Sequence, residues 1–380
     1  MRALPTLFII FAAPVVARGQ IERIWLTHRT SDPSRLVVNW ETAVPGDSVV
    51  HFGVTAQRLG IVSQHNSITL HHVEIATPLR NVVYHYSVQT GTNESPDYTF
   101  RAYPTDELRV AVVGDWTDGK SSLDALKRDQ PHLLLTAGDN ISCLHALCGA
   151  GVKDCTKSYS ALIDAQPELF RSTPFLPALG NHDKEIRPRG KKAPPEMVYD
   201  LDATAYRRFF PLPGDQWKWA FDIPEFDVQF IALDLEHITD FGTTWQACHD
   251  FHRGSPQFEW YRELMATTRA GFVITLHNEY NDRMRSQEGG AWHDMFRRGT
   301  IVVSGFGYYA ERAVVDGFTY YNTCVAPAGT PYRDPKSEVF ESTASYMLFT
   351  FHKSAGEMTA ELKRLDGSVI DRQVFHTRRR

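Results

Sequence analysis

Three apolar runs, each closed by a glycine and polar residues, constrain this fold more than any other feature. The runs 109–113, 132–137 and 174–179 end at Gly114-Asp115, Gly138-Asp139-Asn140 and Gly180-Asn181-His182-Asp183. Unbroken apolar runs of this length are typical of buried parallel strands. A glycine lets the chain turn sharply as it leaves the sheet, and the polar groups of open α/β sheets collect outside the carboxyl ends of the strands. The sequence therefore predicts one shared polar site.

A fourth strand-like run adds an imidazole to this set of donors. Phe272–Leu276 is apolar and ends at His277. Carboxylates, an amide carbonyl and imidazoles together suit iron, zinc or manganese. Two such ions, bridged by one aspartate, can activate a water molecule and clamp a phosphoryl oxygen. The alternative is a set of capped turns that bind no metal.

Length and composition bound the class of protein. A chain of 380 residues exceeds what one core usually serves, which predicts two domains. A hydrophobic share of 42% and a charged share of 22% are those of a globular protein. The net charge of −5 argues against a nucleic-acid binder, which usually carries a basic face.

Residues 1–19 have the composition of a signal peptide. Arg2 is positive, residues 3–16 are mostly apolar, and small residues lie near Ala17. The apolar stretch is too short to span a bilayer, and nothing later in the sequence replaces it. The sequence predicts a secreted or periplasmic protein without a stable membrane span; a retained N-terminal anchor is the alternative.

Three of the five cysteines, Cys143, Cys148 and Cys155, fall in one short loop. In an exported protein two of them can form a disulfide. The alternatives are a structural zinc site completed by His145 and plain thiols.

Two patterns of secondary structure follow each other along the chain. From residue 20 to 103, short strand-like runs separated by turns, such as that at Pro45-Gly46-Asp47, predict a β-sandwich of immunoglobulin type with Trp40 in its core. From residue 104 to 380, strands alternate with helices, which indicates an α/β layer fold. The helices are predicted at Ser121–Asp129, Tyr159–Leu169 and Ser255–Arg269.

The polar strand ends resemble the successive motifs of calcineurin-like metallophosphoesterases. With the N-terminal sandwich, which has fibronectin type III character, nearly the whole mature chain resembles the two-domain purple acid phosphatases. The resemblance implies a mixed α/β (α+β) fold. Residues 20–103 would form a fibronectin type III-like β-sandwich, and residues 104–380 a four-layer α/β/β/α metallophosphoesterase domain.

The same resemblance implies a phosphomonoesterase with metal ligands Asp115, Asp139, Asn181 and His277. Asp139 would bridge two ions, Asp115 would bind the first, and Asn181 and His277 the second. The implied cofactor is one or two ions of iron, zinc or manganese. The implied partner is a phosphorylated small molecule. A homodimer is common among such relatives, and the sequence leaves the oligomeric state open.

His182 and Asp183 are the predicted catalytic residues. The resemblance places His182 against the substrate without binding metal. Such a histidine suits protonation of the leaving group if the Asp183 carboxylate holds the ring. The basic loop Arg187–Pro195 lies nearby in sequence and either attracts an anionic substrate or is simply solvated.

Three positions depart from the family pattern. Ser142 stands where the purple enzymes have a tyrosine, and Phe306 and Tyr308 stand where the family has metal-binding histidines. Two hypotheses follow. The chain is either a phosphoesterase whose site is reduced to one metal or rebuilt with other histidines, for which the candidates are His237, His249 and His252. Or it is a catalytically silent relative that binds phosphorylated or other anionic ligands.

Overall fold

The computed structural model describes residues 20–117, 121–326 and 332–378, and its strands form three sheets. The signal peptide predicted at residues 1–19 lies outside the described residues. The strands are β1 (Ile21–Thr27), β2 (Arg35–Gly53), β3 (Gly60–Ala76), β4 (Val83–Thr90), β5 (Asn93–Glu94), β6 (Tyr98–Arg101), β7 (Glu107–Val113), β8 (Leu133–Thr136), β9 (Phe175–Leu176), β10 (Trp219–Ile223), β11 (Val228–Ala232), β12 (Phe272–His277), β13 (Ile301–Ser304), β14 (Ala310–Val315), β15 (Phe318–Asn322), β16 (Ser337–Glu341), β17 (Ser345–His352), β18 (Glu357–Arg364) and β19 (Val369–His376). The α-helices are α1 (Asp124–Asp129), α2 (His145–Cys148), α3 (Lys157–Ala165), α4 (Pro167–Ser172), α5 (Thr204–Phe209), α6 (Pro256–Thr267), α7 (Asn281–Arg285) and α8 (Ala291–Phe296).

The first six strands form the predicted β-sandwich. The first half of β2 pairs with β1, its second half pairs with β4, and β3 follows β2 along both halves. Residues from both halves share one apolar core, with Trp40 fully buried as predicted. The turn predicted at residues 45–47 is wrong, because these residues continue β2 through register shifts between Glu41 and Ser48. Bulges of this kind bend a strand without ending it.

The remaining strands form two sheets packed face to face. One has the order β19-β18-β17-β7-β8-β9, the other β10-β11-β12-β13-β15-β14-β16. Phe351 of the first sheet packs against Phe230 and Phe272 of the second, at ring-centroid distances of 6.1 and 5.5 Å. Residues of α3 and α4 pack against the first sheet, and residues of α6 and α8 pack against the second. This is the predicted four-layer α/β/β/α arrangement.

The predicted helices form with shifted ends. The helix predicted at Ser255–Arg269 is α6, and the Ser255 side chain caps it by accepting a backbone N–H of the first turn. The helix predicted at Tyr159–Leu169 is two helices, α3 and α4, because Pro167 has no N–H to continue α3 but suits the first position of α4. The helix predicted at Ser121–Asp129 begins only at Asp124.

The cysteine loop contains one disulfide. Cys148 and Cys155 are bonded, and Cys143 is a partly buried thiol. The disulfide alternative is therefore confirmed. The zinc alternative is wrong, because the bond consumes two of the three thiolates that such a site needs.

A buried neutral histidine links the stability of this fold to pH. His28 is 1% exposed, and its ring bonds the Arg35 carbonyl oxygen at 2.7 Å and the Tyr103 hydroxyl at 2.9 Å. Burial lowers the pKa of His28 from 6.5 to about 4. His28 therefore binds a proton more tightly in the unfolded chain than in the folded protein. The contribution of neutral His28 to the free energy of unfolding is complete above the pKa that His28 has in the unfolded chain. It is lost as pH falls towards the pKa of His28 in the folded protein, by up to about 1.4 kcal/mol per pH unit.

We expect the free energy of unfolding in urea to fall between about pH 7 and about pH 4.5, and to fall less steeply in His28→Gln than in the wild type. His65→Gln is the matched control, because His65 is exposed on β3. Equal pH slopes in wild type and His28→Gln would show that His28 does not carry the linkage.

Candidate active site

The polar ends of strands from both large sheets meet in one cleft. A Cβ on Gly114 would lie 2.5 Å from the Cα of Gly305, and a Cβ on Gly138 would lie 2.5 Å from the Cβ of Asn278. Side chains at these glycines would therefore push the strand ends apart. Because β7 and β8 are adjacent and parallel, Asp115 and Asp139 follow neighbouring strand ends.

Asp115 and Asp139 lie in this cleft on strained backbone. Their φ angles are +43° and +54°, in the left-handed region that residues other than glycine rarely adopt. Asp115 Oδ2 accepts the backbone N–H of Tyr308 at 3.2 Å, and Asp139 Oδ1 accepts that of His182 at 3.0 Å. Burial and the neighbouring Asp139 carboxylate raise the pKa of Asp115 well above its ordinary value.

His182 faces the cleft between two carboxylates. Its Nδ1 lies 3.1 Å from Glu185 Oε2, and its Nε2 lies 4.0 Å from Asp139 Oδ2. Its side chain is 29% exposed, so a ligand can reach it. Burial alone would lower its pKa, but the carboxylates of Asp139 and Glu185 raise the pKa of His182 to about 10. His182 is therefore an imidazolium at neutral pH.

Asp183 does not hold the His182 ring, and that prediction is wrong. Asp183 is fully buried, and its Oδ2 accepts the Gly180 N–H at 2.9 Å and the Asn140 side-chain N–H at 3.0 Å. Residues 182–184 form a 3-10 turn, in which positions three apart lie on the same face. Glu185 therefore meets His182, while Asp183 turns inward and fixes the loop.

His277 points away from the cleft, which contradicts its predicted role as a metal ligand. It follows Thr275 on the face of β12 that packs against helices, and its ring lies 5.9 Å from the Phe296 ring of α8. It is fully buried, and its Nδ1 accepts the Glu279 N–H at 3.1 Å. Its Nε2 has no hydrogen-bond partner among the described residues. Burial lowers the pKa of His277 to about 3, so the ring is neutral.

The next residue, Asn278, occupies the cleft instead. Its Nδ2 donates to the Ala137 carbonyl oxygen at 3.1 Å and to the Gly305 carbonyl oxygen. It also approaches Asp115 Oδ1 at 3.5 Å. Sequence reasoning missed Asn278 because side chains alternate along a strand, and only the packing shows which of the two residues turns inward. Asn181 is likewise buried in this region, directly before the turn that carries His182.

Aromatic residues surround the positions at which the resemblance implies metal-binding histidines. The Phe306 ring lies 5.1 Å from the Tyr332 ring and 6.3 Å from the rings of Tyr280 and His237. Tyr308 contributes its backbone N–H to Asp115. Aromatic rings therefore line this part of the cleft.

Two of the three histidines considered as replacement ligands bond carboxylates instead. His249 Nδ1 lies 2.5 Å from buried Asp234, and His252 Nδ1 lies 2.8 Å from Asp250. His237 borders the Phe306 ring at the cleft mouth and meets Arg189 at 3.1 Å. In the described part of the chain, none of the three forms a hydrogen bond or an ion pair with Asp115 or Asp139.

The basic loop carries less free charge than its sequence suggests. Arg187 pairs with Glu196 at 2.7 Å, and Arg189 pairs with Asp240 at 2.6 Å. Arg189 also stacks over Trp245. These pairs leave the loop lysines as its exposed cations, which weakens the case for steering an anion.

The residues present do not fit the imidazole-bound two-metal centre that the resemblance implies. His277 lies outside the cleft, Phe306 and Tyr308 stand at two histidine positions, and Ser142 is exposed. Across residues 20–117, 121–326 and 332–378, no three His, Cys, Asp or Glu side chains form a group that could hold a metal ion. Of the four predicted ligands, the cleft keeps only the oxygen donors Asp115, Asp139 and Asn181.

Comparisons with known proteins agree with this architecture. The sequence model of the calcineurin-like phosphoesterase family matches residues 108–324. Purple acid phosphatase PPD1 from yellow lupin (Lupinus luteus) seeds is similar in structure, with a TM-score of 0.70 and 13% identity over 94% of this chain and 74% of that chain. PhoD is also similar, with a TM-score of 0.67 and 12% identity over 96% of this chain and 92% of that chain. No curated protein matches. At these identities the structural likeness shows the fold alone.

Proposed function

Because the chain belongs to the calcineurin-like phosphoesterase family, we propose that it is a phosphoesterase of acid phosphatase type with an altered metal site. Its substrate would be a phosphorylated small molecule bound in the cleft at the strand ends. The arrangement of His182, Glu185 and Asp139 is the observation that carries this proposal. The accessible Nε2 of this imidazole suits both attraction of a phosphoryl group and proton transfer to a leaving group.

His182 serves two tasks in this proposal. Its imidazolium attracts the phosphoryl oxygens. As a water molecule adds to phosphorus and the P–O ester bond breaks, the Nε2 proton goes to the leaving-group oxygen, which departs as the alcohol, and the proton released by the attacking water restores the imidazolium. Glu185 Oε2 forms an ion pair with Nδ1 at 3.1 Å, which leaves Nε2 on the side of Asp139 and the cleft. Asp139 fixes the backbone of the same turn through its bond to the His182 N–H.

We expect purified protein to hydrolyse p-nitrophenyl phosphate, and His182→Ala to lower kcat/KM by about 10²–10³-fold, the usual effect of losing a general acid. His252→Ala is the control, because the exposed His252 ring bonds Asp250, stacks on Phe251 and meets the Phe241 ring edge-on. Full activity of His182→Ala would refute the role of His182.

The second candidate function is that of a catalytically silent relative that binds anions, and the contacts of Asp115 favour it. Both Asp115 oxygens meet N–H donors, from Asn278 and Tyr308, where the family would place a cation. In this case inorganic phosphate would bind in a calorimetric titration and His182→Ala would weaken it, yet no aryl phosphate would be hydrolysed with any added metal. That combination would replace the first proposal by the second.

The proposal also includes export of the protein and a domain boundary near residues 103 and 104. The disulfide between Cys148 and Cys155 supports an oxidising compartment. In the described part of the chain, no helix is both long and apolar enough to cross a membrane. β6 ends at Arg101 and β7 begins at Glu107, so the proposed boundary falls in their connection. A homodimer stays a prediction.

A further inference from the structure

The carboxylate that pairs with His182 is itself held from a second side. Glu185 Oε2 lies 3.1 Å from His182 Nδ1, and Glu185 Oε1 lies 3.5 Å from Nε2 of His145. Glu185 is 8% exposed, and a buried carboxylate is costly unless it is paired. Burial alone would raise the pKa of Glu185, but the imidazoles of His182 and His145 hold it below its ordinary value. One carboxylate therefore joins two imidazoles, of which one faces the cleft.

The segment that carries His145 also binds the main chain of Glu185. The Glu185 carbonyl oxygen accepts the backbone N–H of Leu144 at 3.0 Å and that of His145 at 3.3 Å. His145 begins α2, and α2 ends at Cys148, whose disulfide to Cys155 closes the loop that follows the helix. The two backbone bonds and the disulfide therefore fix the position from which the His145 side chain reaches Glu185.

In the described part of the chain, His145 pairs with Glu185 and forms no hydrogen bond or ion pair with Asp115 or Asp139. Without the His145 imidazole, the buried Glu185 carboxylate would lose one of its two partners and would be free to turn away from His182. Displacement of a reacting group by about 1 Å can lower a rate by about 10²-fold. We propose that His145 is a positioning residue, which holds the Glu185 carboxylate where it pairs with the His182 ring. This inference rests on the proposed phosphoesterase function, in which His182 transfers the proton.

We expect His145→Ala to lower kcat for p-nitrophenyl phosphate by about tenfold. KM should change by less than about twofold, because His182 keeps its charge and loses only its fixed orientation. His145→Gln should recover most of the loss, since an amide N–H can donate to Glu185 in place of the imidazole N–H. Leu147→Ala is the matched control and should leave kcat unchanged, because Leu147 lies on the same helix with its side chain 53% exposed.

A double-mutant cycle tests whether His145 acts through Glu185. In a Glu185→Gln background, His145→Ala should lower kcat by less than about twofold, because the contact that it would disturb is already lost. Nitrogen chemical shifts of the histidine rings, measured by NMR at neutral pH, give a second readout that needs no turnover. The resonance of His182 Nδ1 should move in His145→Ala and stay in place in Leu147→Ala.

Two outcomes would overturn the inference. One is a loss of kcat on His145→Ala that is equally large in the wild type and in the Glu185→Gln background. The other is a His182 Nδ1 resonance that does not move in His145→Ala. If circular dichroism shows that His145→Ala does not fold, His145→Leu takes its place in both measurements. A wild type that hydrolyses no ester would refute only the proposed enzymatic function, since the NMR comparison would still test the contact between His145 and Glu185.

Discussion

Lys184→Met is expected to lower the free energy of unfolding by about 3–5 kcal/mol. Lys184 Nζ lies 2.5 Å from Asp234 Oδ1 and also contacts Glu236 Oε1, and all three side chains are fully buried. Burial alone would lower its pKa, but Asp234 and Glu236 raise the pKa of Lys184 above its ordinary value. Without the cation, two carboxylates would remain in a medium that stabilises charge poorly.

The loss should also reach the cleft, because Lys184 ends the 3-10 turn that begins with His182. Urea unfolding at neutral pH measures the stability change. Lys127→Met is the control: Lys127 is a surface residue 3.8 Å from Asp124, and surface pairs are worth at most about 1 kcal/mol. Adding Glu236→Gln to Lys184→Met should recover part of the loss. A Lys184→Met effect no larger than that of the control would show that the buried cluster does not depend on its cation.

The sequence was sufficient to predict which strands form the cleft. Runs ending at Gly114-Asp115 and Gly138-Asp139 become the parallel neighbours β7 and β8, so their aspartates are brought together by the pairing itself. Here the local signal and the global fold agree, because a buried parallel strand needs an apolar run and a sharp exit.

The orientation of His277 could not be predicted in the same way. β12 is buried on both faces, so its residues are apolar at odd and even positions alike and give no alternation to read. A single step along the strand exchanges His277 for Asn278 in the cleft. Whether an imidazole or an amide enters the cleft therefore depends on tertiary packing.

The partner of His182 was missed for a related reason. The sequence shows Asp183 next to His182, but neighbours in a tight turn diverge while residues three apart share a face. The turn type is set by hydrogen bonds from Gly180 and Asn140 to Asp183, and one of these comes from a distant strand end. Glu185 could be identified only once that turn was known.

Gly180→Ala is expected to damage the cleft more than any other single-methyl change. The new Cβ would lie 2.2 Å from Asp139 Oδ1 and 2.3 Å from its backbone nitrogen, so β8's polar end must move. Overpacking of this kind costs about 1–3 kcal/mol, and a backbone contact places it at the upper end. The kcat/KM for p-nitrophenyl phosphate should also fall at least about tenfold, since the methyl group displaces the Asp139 turn, whose Oδ1 accepts the His182 N–H. Gly299→Ala is the matched control, with its nearest contact at 3.1 Å, to the Phe296 carbonyl oxygen. Urea unfolding and the kcat/KM for p-nitrophenyl phosphate give the two readouts. Equal stability losses in both variants would show that the Asp139 turn yields easily. An unchanged kcat/KM in a destabilised Gly180→Ala would show that the Asp139 turn does not position His182.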